Sequence, residues 1–141
     1  MNVTRRRTVL TLVLAAAAGS LVTAAVDRAA FAQQNGIKRT ILRRAPDPAN
    51  PNYEIVLGIS ELAPGASSGR HRHPGTEMAY VLEGSMVIER DGGNTPPLTV
   101  GDTVSNENGA IHNARNPGTT VTRTVSVYVV EKGKPLAETV R

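Results

Sequence analysis

GASSGRHRHPGTEMAYVLEG, residues 65–84, and GDTVSNENGAIHNARN, residues 101–116, together decide the fold. His71 and His73 stand two apart, so on an extended strand both imidazoles leave from one face. Pro74 and Gly75 then bend the chain, and Glu77 returns a carboxylate toward the same point. The second stretch adds His112. Three neutral ring nitrogens and one anionic oxygen make a mixed donor set suited to one divalent transition metal ion, Fe, Mn, Ni, Cu, Co or Zn, with positions left open on a five- or six-coordinate centre. A single strand histidine is more often packed or solvated than a ligand. Here the chain has three histidines and all fall in these two stretches, each beside glycines that tight hairpin turns require.

The same residues resemble a cupin. Gly65, His71, His73, Glu77 and Gly84 occupy every position of the first cupin motif, G-x5-H-x-H-x3-E-x6-G, without insertion. Gly101, Gly109, His112 and Asn116 match the second, G-x5-P-x-G-x2-H-x3-N, with Glu107 in the proline position. That departure removes a rigid turn ahead of the third histidine, so it bears on the shape of the loop and not on the ligand. The resemblance covers about residues 37–135 and implies an all-β fold, a cupin β-barrel of the jelly-roll or double-stranded β-helix kind. It says little about the reaction, because one barrel hosts dioxygenases, decarboxylases, isomerases, lyases and plain binding proteins. The pattern is most similar to small single-domain proteins like the quercetin-type dioxygenases, which implies metal-dependent oxygen chemistry. A non-catalytic barrel that holds a small ligand and a non-redox lyase, isomerase or decarboxylase stay open beside it.

Length allows one domain behind an N-terminal extension. Arg5, Arg6 and Arg7 precede an apolar run over residues 8–26, and Ala30, Phe31 and Ala32 supply the small residues that a signal peptidase reads. Residues 1–32 are therefore expected to be a cleaved signal segment and residues 33–141 the mature domain. An uncleaved anchor is the alternative, since the run is near bilayer length. Arg6, Arg7, Thr8, Val9 and Leu10 resemble a bacterial twin-arginine signal, which implies a periplasmic or secreted protein exported already folded. The consensus aromatic after the arginine pair is missing, which leaves the general secretory route open.

The charge balance changes once this segment is set apart. Of the formal +4, Arg5, Arg6, Arg7, Arg28 and Asp27 account for +3, which leaves the domain near +1. A basic whole-chain pI is thus no evidence for nucleic acid, and no basic cluster interleaves with Tyr53, Tyr80 and Tyr128. Neither a nucleic-acid partner nor a stable membrane association after cleavage is expected. Cysteine is absent, which excludes disulfides and thiol chemistry.

The remainder reads as short strands separated by turns. A first strand is expected over residues 37–42, ending before a loop with Pro46, Pro48 and Pro51. Tyr53, Ile55, Leu57 and Ile59 alternate with Glu54, Gly58 and Ser60 in the period of a half-buried strand. Glu77, Ala79 and Val81 should face the interior, leaving Met78, Tyr80 and Leu82 outside. Asp91-Gly92-Gly93-Asn94 signals a hairpin. The longest strand, over residues 121–130, sets Val121, Val125, Val127 and Val129 against Thr122, Thr124 and Ser126, and the valine side is expected to be the buried one. The tail from Lys132 is polar enough to be loose.

Several roles follow. His71, His73 and His112 must be neutral to bind, each donating its second ring N–H to a carbonyl or water. Glu77 has two: a ligand to the ion, or, swung away, a catalytic base toward a small oxygen-bearing substrate. Arg72 and Arg115 have the opposite strand parity and should point to solvent, Arg123 should snorkel, and Asn116 should close the second motif by hydrogen bonding. The apolar outer side of residues 78–82 needs a cover, and the expected one is a second copy of the chain in a homodimer.

Overall fold

The computed structural model describes residues 33–34 and 36–141, so the expected signal segment lies outside the described residues. Its elements are β1 (Gln33–Gln34), β2 (Ile37–Pro46), β3 (Tyr53–Leu62), β4 (His71–Arg72), β5 (Gly75–Glu83), β6 (Ser85–Arg90), β7 (Leu98–Thr99), β8 (Thr103–Asn106), β9 (His112–Arg115), β10 (Thr122–Glu131) and β11 (Glu138–Thr139). They form two antiparallel sheets, one in the order β1-β2-β3-β10-β5-β8 and the other β11-β4-β9-β6-β7. This is the expected double-stranded β-helix. The chain passes repeatedly from one sheet to the other, in a single residue at Gly84 between β5 and β6 and in two, His73 and Pro74, between β4 and β5.

Glycines make two of these passages possible. Gly84 turns β5 into β6 at φ 72°, and a Cβ there would come within 2.6 Å of the Val121 carbonyl oxygen. Only a residue without a side chain fits both constraints. Gly75 is tighter still, with the Val129 carbonyl oxygen 2.0 Å from where its Cβ would stand. β5 and β10 therefore close directly behind the metal-ligand motif.

The interior is filled from both sheets. Ala79 and Val81 of β5 pack on Met86 and Ile88 of β6, a second group joins Val56, Tyr128, Val130 and Leu136, and a third joins Ile37, Leu62 and Ala66. Met78 and Tyr80 lie outside, 65% and 41% exposed, as the alternation of β5 predicts. Asn116 does close the second motif. It is wholly buried, donates from Nδ2 to the carbonyls of Leu62 and Thr120 at 3.0 and 2.7 Å, and accepts the Gly118 N–H on Oδ1. One amide side chain thus satisfies backbone groups from two segments, the end of β3 and the loop before β10, that no strand ladder reaches.

Three expectations need correction. β2 runs on to Pro46, because an edge-side proline can end a strand whose outer ladder is needed only near Gln33 and Gln34. The buried side of β10 is the hydroxyl side: Thr122, Thr124, Ser126 and Tyr128 are buried, and Val127 and Val129 are exposed. β3 follows suit, turning Val56, Gly58 and Leu62 inward and leaving Ile55, Leu57 and Ile59 half covered. The C-terminal tail is docked as well. Leu136 is buried, Glu138 and Thr139 pair with β4, and the Val140 N–H donates to the Arg70 carbonyl at 2.9 Å.

Candidate metal centre

Each histidine reaches the centre by a different route. His71, on β4, is the register partner of His112, on β9, so two imidazoles leave one sheet side by side. His73 follows where the chain leaves that sheet, and Glu77 returns from β5 in the opposite one. The ring centroids lie 4.4 Å (His71 and His112), 5.0 Å (His71 and His73) and 5.1 Å (His73 and His112) apart. One ligand atom from each ring falls within 4.8 Å of the others, and all three rings are buried. The spacing read from the sequence therefore does converge on one point.

Carbonyl oxygens fix the orientation of all three rings. Nδ1 of His71 donates to Gly69 at 2.8 Å, Nδ1 of His73 to Leu136 at 2.6 Å, and Nδ1 of His112 to Ala110 at 3.0 Å. A carbonyl can only accept, so Nδ1 must carry a proton, and in the neutral ring Nε2 keeps a lone pair. His73 owes this to the tail, through a partner 63 positions away. The tail expected to be loose is thus part of the centre.

The lone pairs then face the carboxylate. Nε2 of His73 lies 3.2 Å from Oε2 of Glu77, and Nε2 of His112 lies 3.5 Å from the same oxygen. Acceptors set against a buried carboxylate at these distances need a positive charge among them, either a proton or a metal ion. Nε2 of His73 is moreover buried without a hydrogen-bond partner. The donor set, its neutral tautomers and this orphaned nitrogen fit a transition metal ion.

Protonation behaviour agrees with that fit. Desolvation lowers the His71 pKa to about 4, and the neighbouring His112, His73 and Arg39 charges add to it against the pull of the Gly69 hydrogen bond. His71 is therefore neutral near neutral pH, the form a metal ion would require. Burial works against ionisation of Glu77, but contacts from His112, His73 and Asn106 outweigh it and hold the carboxyl well below its ordinary range.

Two residues of the centre were not picked out from the sequence. Asn106 donates from Nδ2 to Oε2 of Glu77 at 2.8 Å, and its own Oδ1 accepts from Arg90 at 2.8 Å. Tyr128 packs edge-on to His73 with centroids 5.0 Å apart. Its burial, with the charge and hydrogen bonding of Glu77, pushes the phenol well above its usual range, so it stays protonated. The alternation of β10 would have pointed to Tyr128, had the hydroxyl side been taken as the inner one.

The flanking arginines lie outside the centre. Arg72 pairs with Glu138 at 3.0 Å, Arg115 with Glu89 at 2.6 Å and Arg123 with Glu83 at 3.2 Å. The turn that lacks its proline forms nonetheless. The Ala110 N–H donates to the Glu107 carbonyl at 3.0 Å, Gly109 sits at φ 72°, and the Gly109 N–H is tied to the His73 carbonyl at 3.0 Å. A glycine in the left-handed region and a cross-link to the first motif replace the rigid ring.

Beside the rings lies a cavity of about 40 Å³, lined by the centre, by Arg39, Ser60 and Thr124, and by apolar side chains that include Met86 and Ile88. A space of that size holds roughly three waters.

A double-stranded β-helix with three convergent imidazoles on two glycine-bounded motifs defines a class of barrel before any comparison is made. Residues 58–128 match the family model described as "Cupin domain", and the chain belongs to that family. No curated protein matches it. Solved structures share the fold. A protein with a double-stranded β-helix domain from Klebsiella pneumoniae is 24% identical, with TM-score 0.60 over 75% of this chain and 88% of its own. The polyketide cyclase RemF from Streptomyces resistomycificus is 25% identical, with TM-score 0.57 over 75% and 72%. An oxalate oxidase solved with the substrate analogue glycolate is 21% identical, with TM-score 0.57 over 74% and 56%.

Proposed function

We propose that the protein is an exported, metal-dependent oxidoreductase of the dioxygenase kind, acting on a small oxygen-bearing substrate. The supporting observation is the convergence of His71, His73 and His112 beside the Glu77 carboxylate, a donor set that would hold a single divalent ion. Such an ion would act as a Lewis acid toward an oxygen ligand at its open positions. The chain's own residues do the rest. The carbonyls of Gly69, Leu136 and Ala110 keep the rings in their ligating tautomer, Asn106 steers Glu77, and Tyr128 holds a proton near the cavity.

A non-redox reaction is the second reading, favoured by Tyr128 and Glu77 lining one cavity with the histidines, an O–H and a carboxylate that could orient a substrate without any need for oxygen. Elemental analysis of the purified mature protein, followed by oxygen-uptake screening against enolic and phenolic compounds, separates the two. Bound metal with substrate consumed but no oxygen taken up would replace the first reading by the second. Bound metal and no turnover at all would leave a ligand-binding barrel.

Export rests on the sequence of residues 1–32, and assembly as a homodimer on the apolar outer side of β5. Changing Arg6 and Arg7 to lysine should stop export of the folded protein, read by periplasmic fractionation. Normal accumulation would assign the general secretory route.

A further inference from the structure

Among the described residues lining the cavity, Arg39 carries the one permanent positive charge. Its position follows from register. Arg39 of β2 pairs with Ser60 of β3, and Ser60 pairs with Thr124 of β10, so the three side chains form one row across the inner side of the sheet. All three line the cavity. The preceding Lys38 takes the other side of β2 and pairs with Glu61 at 3.0 Å. Strand alternation has thus sent one cation outward to a surface partner and the next inward to the metal centre.

An inward guanidinium changes what the cavity can accept. Glu77 brings a buried negative charge that would repel an anion, while Arg39 and a divalent ion both offset it. The planar fork of a guanidinium matches the two oxygens of a carboxylate, and Ser60 and Thr124 add hydroxyl donors on the same row. The apolar side chains that also line the cavity, Met86, Ile88 and Val104 among them, offer nothing to a second charge. Volume keeps the ligand small: the cavity is about 40 Å³, and part of that space would go to the ion.

We propose that Arg39, Ser60 and Thr124 form an anion subsite that anchors the carboxylate of a small acid of about two or three carbons, whose other oxygen faces the imidazole cluster. This rests on the metal reading above and names the substrate class of that centre.

The test uses full-length mature protein loaded with Co²⁺, whose visible absorption reports a change of ligands at the ion. Metal content is measured first, then calorimetric binding of lactate and pyruvate, each against its neutral amide of nearly the same shape. The acids should bind and perturb the cobalt spectrum, and the amides should bind far more weakly. Arg39→Gln should weaken acid binding by about tenfold or more while metal content and amide binding stay unchanged. Ser60→Ala, a smaller change should Arg39→Gln fail to fold, should weaken it several-fold in the same direction. A protein that holds no ion ends the metal reading and this one with it. An ion held normally, with acid and amide bound alike, with no acid bound at millimolar concentration, or with both variants binding acid like the parent, ends this inference alone.

Discussion

The two sides of β10 invert the usual rule for a half-buried strand. Inward it presents Thr122, Thr124, Ser126 and Tyr128, all nearly inaccessible, while Val127 and Val129 are 39% and 36% exposed on the outer side. The outer valines do not stand alone. Val125 lies between Ile59 and Tyr80, and Val127 between Leu57 and Met78, in register across β3, β10 and β5. The outer side of the sheet is thus an apolar field, and the hydroxyl-bearing inner side lines the cavity beside the histidines. A strand's apolar side marks the core only where the other side meets water, and this barrel places its histidine cluster inside and an apolar field outside.

The inner side is broken most completely at a ligand. His73→Ala removes one nitrogen of the cluster and should cost most of the bound metal, a loss in affinity above about a hundredfold, since even indirect partners of metal ligands are worth 10–100-fold. Elemental analysis of dialysed protein reads it directly, and unchanged metal content would refute the centre.

The outer side should fail next. If a second copy covers it, Met78, Tyr80 and Val127 are buried twice over across a two-fold axis, each large side chain contributing roughly 1.5–3 kcal/mol. Val127→Asp should then yield a monomer by sedimentation while keeping its metal. A wild-type monomer at micromolar concentration would leave the apolar field without a second copy to cover it.

Acid should discriminate between the sides as well. The His71 pKa is lowered from 6.5 to about 4, so between those values the unfolded chain binds a proton that the folded chain refuses. Stability gained by this residue is complete above pH 6.5 and is lost as pH falls toward 4, at most about 3 kcal/mol. Glu77, depressed from its ordinary value, acts in the same direction at lower pH. Urea unfolding of metal-free protein should therefore show midpoints that fall across this interval, and a flat profile would contradict the burial of the ring. Metal should leave over the same range, because protons and the ion compete for Nε2.

How much of this was legible follows from what each feature depends on. The motifs were readable because their geometry is local: His71 and His73 stand two residues apart at the end of β4, and Gly84 is demanded by a positive φ beside the Val121 carbonyl. The Glu77 side of β5 was readable for the same reason. The inner side of β10 was not, since hydrophobicity alone cannot distinguish a cavity wall from a wet surface. The Leu136 carbonyl bound to His73 was hidden by distance, as the tail's polar composition carries no sign of where its backbone docks. Asn106 was hidden by its neighbours, lying one residue before the position where the motif departs from proline.

Asn106 offers the smallest and sharpest break, because it alters the centre without removing a ligand. Its Nδ2 holds Oε2 of Glu77 at 2.8 Å, and Arg90 holds its Oδ1 at 2.8 Å, so a partly buried cation on β6 orients a buried carboxylate through one amide. Asn106→Ala would leave one carboxylate oxygen free to rotate and Arg90 without this acceptor. The metal should still bind, with affinity lower by about tenfold, at the bottom of the range for groups that orient a ligand. Asn106→Asp keeps the shape but turns the donor into a second anion, which should raise the Glu77 pKa and move metal release to higher pH. A chelator competition titration across pH distinguishes these outcomes from simple loosening: packing damage would lower affinity equally in both variants and leave the pH of release where it was. Identical release profiles for the alanine and aspartate variants would show that Asn106 fills space and does not orient Glu77.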